Sequence, residues 1–222
     1  MTIIEPVRKD IDHPQLNKRK SAALRLWHWG SVVAVSGSLI TVLINSTIIN
    51  KNALQLIKNE LQKSGITAND QPAKSIAHAL RDQVWDVHIY FGYCLAALFL
   101  FRLILEFFQL SDQKFIRQIK SAYTHFKKVK KDRETALHEL TVKIIYSTFY
   151  FLLAIMVFTG LFLAFEDIMK PFESIRHSVK DIHGFCMYPI LAFIIVHLVG
   201  VFLAERRSNS KGIVSDMING GK

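Results

Sequence analysis

The chain has 222 residues, of which 50% are hydrophobic, 11% aromatic and only 21% charged, a composition that excludes an ordinary water-soluble domain. The formal net charge is +10, which in a soluble protein would point to nucleic acid. Here the basic residues cluster beside long apolar runs, so the positive-inside rule accounts for them and nucleic acid is not an expected partner.

Residues 1–21 form a polar arm ending in Lys18, Arg19 and Lys20. It is not a cleavable signal, because no short apolar core with a small-residue cleavage site follows, and the first apolar run is expected to stay in the membrane. That run extends from Ala22 to about Ile44 and carries Arg25, Trp27, His28 and Trp29 at its start. Indole side chains prefer the membrane interface.

Residues 45 to about 82 are polar, with helical patterns in NKNALQLIKNELQ and AKSIAHALRDQ joined by the turn-prone SGITANDQP. So long a connection is expected to cap the membrane domain or touch a partner. The second span, about Gln83 to Leu110, has His88 near its start and Arg102 fourteen residues later. A strongly basic stretch follows, from 111 to about 137.

The third span, about Glu139 to Phe165, has no internal histidine and reads as a structural helix. A short loop, EDIMKPFESIRHSVK, leads to the fourth span, Asp181 to Glu205, with His183 and His197. Each run is long enough for a hydrocarbon core that asks for about 20 apolar residues. The expected organisation is a polar arm (1–21), an all-α four-helix integral membrane bundle (22–205) and a basic tail (206–222). With four spans the basic arm, second loop and tail share one side, which the positive-inside rule makes the cytoplasm of a bacterial inner membrane.

His183 and His197 are fourteen residues apart, or about 21 Å and nearly four whole turns of one helix. Both imidazoles therefore leave the same face, one near each membrane surface. Intramembrane ionisable groups are costly and mark function by default, and imidazole is a common axial ligand of haem iron. Depth pairs His88 with His183 on the outer side and His28 with His197 on the inner side. Each pair is a candidate clamp on one haem, so the bundle is expected to bind two b-type haems.

Each histidine taken alone also reads as a hydrogen-bonded packing residue; four at two matched depths favour ligation. His13, His78, His125, His138 and His177 lie in polar segments and read as surface residues. Cys94 and Cys186 form no C-x-x-C-H pattern, so any haem is held by coordination and packing. Gly92, Gly184 and Gly200 stand close to ligand candidates and suit either porphyrin approach or helix packing. Pro189 is expected to kink the fourth span. Arg25 and Arg102 are candidates to neutralise haem propionates or meet a quinone head group, with snorkelling as the alternative; snorkelling is preferred for Lys143.

The residues RLWHW, the H-x-x-x-G at His88 with Arg102 beyond it, DIHG, His197 and the closing KGIVSDMINGGK resemble the prokaryotic cytochrome b561 and nickel-iron hydrogenase cytochrome b superfamily, which includes formate dehydrogenase membrane subunits. The resemblance covers residue 22 to the C-terminus. It implies a four-helix membrane protein with two b-type haems, held by His28 with His197 and by His88 with His183. It also implies respiratory electron transfer between a redox partner, such as a dehydrogenase or hydrogenase subunit, and membrane quinone. Hydrogenase-type relatives often have a further helix after the matched region, which points away from that particular assignment.

The alternatives are a self-contained oxidoreductase moving electrons between a small oxidant such as superoxide and quinone, and a haem-free transporter with a histidine relay. The apolar stretch FCMYPILAFIIV between two ligand candidates fits a porphyrin slot better than a relay. No acid–base pair, nucleophile or phosphate loop appears, so any catalysis is redox chemistry at a haem edge.

Overall fold

The computed structural model describes residues 21–48, 51–65, 70–108, 115–128, 133–206 and 212–220. The polar arm up to residue 20 with His13, the centre of the SGITANDQP turn, Lys114, Lys130, Lys131 and the basic start of the tail at 207–211 lie outside the described residues. Among the described residues the α-helices are α1 (Ala22–Leu43), α2 (Lys51–Lys63), α3 (Asp70–Phe108), α4 (Phe115–Lys128), α5 (Arg133–Ala164), α6 (Glu166–Met169), α7 (Glu173–Arg206) and α8 (Ile213–Asn219). There is no strand among the described residues.

Among the described residues four segments are long and apolar enough to cross a membrane: Ala22–Thr47, Gln71–Phe108, Arg133–Ala164 and Glu166–Arg206. Only 11–22% of their most apolar stretches is buried within the protein. Large apolar side chains such as Phe107, Phe151, Phe158, Phe185 and Ile195 are exposed, a surface that is stable in lipid and costly in water.

The helices outrun the apolar spans. α3 begins at Asp70, thirteen residues before the apolar run, because Ala73, Lys74, Ala77, Ala79, Leu80 and Arg81 are strong helix formers and Pro72 sits in the first turn, where it is tolerated. The AKSIAHALRDQ pattern is therefore the first part of the second spanning helix and not a separate one. The loop before the fourth span is also largely helical: α6 and one 3-10 turn containing Pro171 lead into α7 at Glu173. An acid in the first turn complements the helix dipole there. α7 stays helical across Pro189.

The chain divides into two compact units, Gly30–Ala97 and Met1–Trp29 with Leu98–Lys222. In the first, Ser31, Ala34 and Thr41 of α1 and Asn45 in the turn just beyond it are buried, at spacings of three, seven and four that put them in one stripe. A side chain at Gly37 would run into the Phe91 ring of α3, so this glycine is what lets the ring pack against the α1 backbone.

In the second unit α5 packs along α7 and α4 packs on α5. Leu153 and Val157 of α5 and Cys186 and Ile190 of α7 are buried, and Phe149 stacks on Phe193 at 4.1 Å between ring centres. Ala122, Ala136 and Leu140 are buried on α4 and α5. Lys143 donates to Gln118 Oε1 at 2.6 Å, so its ammonium ties α5 to α4. The Glu205 carboxylate accepts from the Gly212 and Val214 amides at the start of α8, and Trp29 Nε1 donates to the Met217 carbonyl at 2.8 Å.

Candidate functional site

Within the unit containing both chain ends, α1 and α7 bring His28 and His197 together, with ring centres 6.2 Å apart and planes tilted by 56°. Two metal–nitrogen bonds of about 2.0–2.1 Å, with about 1.1 Å from each nitrogen to its ring centre, span about the same distance. Axial ligation leaves each ring free to rotate about the metal–nitrogen axis, so the tilt is compatible with it. His28 Nδ1 is buried without a hydrogen-bond partner among the described residues. Orphaned buried nitrogens are rare and collect at ligand sites.

The wall beside this pair is aromatic. Phe193 stacks on His197 at 5.8 Å, Tyr146 lies edge-on to it at 6.1 Å with its hydroxyl 3.4 Å from Nδ1, and Trp29 stands edge-on to His28 at 5.2 Å. Such flat apolar side chains suit a porphyrin.

His183, one helix face and fourteen residues away on α7, turns Nδ1 toward the Thr159 hydroxyl of α5 at 2.8 Å. A Cβ on Gly160 would stand 3.2 Å from His183 Cε1, so the glycine is what lets the imidazole approach α5. In the other unit, His88 of α3 places Nδ1 2.9 Å from the Thr41 hydroxyl and 3.3 Å from the Ser38 carbonyl of α1. Among the described residues no neighbour stands within 4 Å of a Cβ built on Gly92, Gly184 or Gly200, which leaves room there beside the backbone at all three.

Arg102 is buried. Its Nε donates to Tyr150 Oη at 3.2 Å and its Nη1 to Glu106 at 3.0 Å, and its guanidinium lies over the rings of Trp27 and Tyr150. Glu106 also accepts from the Phe115 amide. Arg102 is thus anchored one residue away from His28 in the chain, through Trp27, with a carboxylate partner of its own. Arg25 lies against Gly220, where an added Cβ would meet its guanidinium. His78, His125, His138 and His177 are exposed, as surface residues; His177 faces Asp181 at 3.1 Å and His125 faces Glu139 at 3.8 Å.

Reading the sequence alone misses Thr41, Thr159, Tyr146 and Gly160. A single threonine in an apolar run has no distinguishing signal, but Thr159-Gly160 is the polar and small break in the third span, on the helix first read as structural only.

Among the described residues no cluster of three or more His, Cys, Asp or Glu could hold a metal ion. A pair of imidazoles is too few for a tetrahedral ion and is the number taken by an iron already held in a porphyrin. Apolar spanning helices that present histidines in this way define a membrane cytochrome of the b type, its haem held without covalent attachment. The chain belongs to the prokaryotic cytochrome b561 family, whose model matches residues 19–220. Comparison with curated proteins and with solved structures returned no match. The protein is accordingly a multi-pass membrane cytochrome of electron transport, an all-α haem-binding helical bundle.

Proposed function

We propose that the chain holds two b-type haems at opposite leaflets and carries electrons between a redox partner outside the membrane and quinone within it. His28 and His197 hold the inner haem, and His88 and His183 the outer one. The arm and tail lie in the cytoplasm of a bacterial inner membrane. The observation that carries this reading is the 6.2 Å between the His28 and His197 ring centres, a spacing suited to one iron between two axial imidazoles.

The haem supplies one-electron chemistry. The chain's own work is to orient the imidazoles, exclude water and set local polarity. Phe193, Phe149 and Tyr146 keep water from His197, and the matched depth of each histidine pair stacks the centres across the bilayer. Arg25 and Arg102 provide positive charge at the inner end, where haem propionates or a quinone oxygen would meet it; the Glu106 partner offsets part of the Arg102 charge.

Haem quantification with a reduced-minus-oxidised spectrum tests the proposal. Two haems per chain, both b-type and reducible by a quinol, are expected. One haem per chain, or none after expression with ample haem, would overturn it.

A further inference from the structure

The imidazole of His197 is held on one face and along one edge. Rotation about the bond that carries a histidine ring is broad, so a helix by itself does not fix the plane of the ring. At His197 the neighbours do. Phe193, four residues earlier on α7 and therefore on the same side of the helix, lies at 10° to the imidazole with 5.8 Å between ring centres. Phe149 of α5 backs Phe193 at 4.1 Å and 17°. The three rings form one stack that crosses from α5 to α7. Tyr146 flanks it, edge-on to Phe193 at 5.9 Å and to His197 at 6.1 Å, with its hydroxyl 3.4 Å from Nδ1.

Each stacked pair favours its own geometry by roughly two- to tenfold over a ring left to turn. Two such pairs in series leave His197 little choice of plane. His28 supplies the second plane, with Trp29 edge-on at 5.2 Å, and the two imidazoles meet at 56°. All six rings belong to α1, α5 and α7 within one compact unit.

We infer that Phe193 is a positioning residue that fixes the plane of His197, and with it the angle between the two axial ligands of one haem. The inference rests on the His28–His197 ligation proposed above. The angle matters because each axial imidazole donates into the iron d orbitals through its π system, and the two ligand planes together decide how far those orbitals split. Ligands whose rotamers are locked by packing hold a constellation to its working geometry. A plane held alike in the ferric and ferrous states leaves less to rearrange with each electron.

The test uses the full chain purified with haem and electron paramagnetic resonance of its ferric form. The low-spin signal that disappears in His197→Ala marks the centre in question. Phe193→Leu keeps the apolar bulk and removes the flat face; Phe193→Tyr keeps the face. Phe193→Leu is expected to broaden that signal and shift its largest g value with the haem content unchanged, while Phe193→Tyr keeps the wild-type line. Loss of that haem from Phe193→Leu with a wild-type line in Phe193→Tyr also supports the inference. A wild-type line in haem-replete Phe193→Leu, equal changes in the leucine and tyrosine variants, or loss of the haem from both would overturn it. A wild-type chain with no Soret band, or a His197→Ala variant that loses no signal, would instead sink the ligation reading, and the inference with it.

Discussion

His197 on α7 faces His28 on α1 across 6.2 Å between ring centres, although 169 positions separate them in the chain. If the two rings hold one haem iron as proposed, removing either would leave that iron with a single protein ligand. His197→Ala is expected to lower the haem content from two to one per chain while the His88–His183 centre keeps its spectrum. Pyridine haemochrome quantification reads the stoichiometry; loss of both haems, or of neither, contradicts the pairing.

Gly160 touches His183 from the neighbouring helix. With a Cβ only 3.2 Å from Cε1, Gly160→Ala must push the ring by a few tenths of an ångström. The expected outcome is a changed low-spin electron paramagnetic resonance signal for one of the two haems, with little change in thermal stability. An unaltered signal would mean that His183 ligates nothing.

Gly37 and Gly92 give opposite expectations. Gly37→Ala forces the Phe91 ring from its place and is expected to destabilise by about 1–3 kcal/mol, as overpacking does. At Gly92 no neighbour among the described residues stands in the way, and alanine gains about 1 kcal/mol of helix propensity in the protein without haem. Thermal unfolding of the haem-free protein in detergent distinguishes the two variants.

Glu106 holds both the Arg102 guanidinium and the Phe115 amide. Glu106→Gln retains the shape and removes the charge, which leaves a buried guanidinium beside Tyr150 with a weaker acceptor. A loss of about 1–3 kcal/mol is expected, read as a lower unfolding temperature. An unchanged temperature would show that the pair adds nothing to stability.

Hydropathy reports where a side chain meets lipid, and that much of the fold was legible: four apolar runs and the histidines at their ends. It says nothing of where the backbone stops being helical. The start of α3 at Asp70 and of α7 at Glu173 depend on polar helix formers and a tolerated first-turn proline. Trp29 illustrates the same limit: its place at the interface follows from residue type, but its bond to the Met217 carbonyl depends on a chain end folding back. The Thr41 and Thr159 hydroxyls were invisible for a related reason. Their contacts with His88 and His183 come from what lies on the adjacent helix, and a lone threonine in a hydrophobic run looks like any other.

The unbroken length of α3 has a mechanical consequence. Its 39 residues extend about 58 Å, nearly twice the hydrocarbon thickness of about 30 Å, and His88 stands eighteen residues from its first. A stiff lever of this kind transmits a tilt or a twist applied near Ala73 straight to the imidazole, with no hinge in between to absorb it.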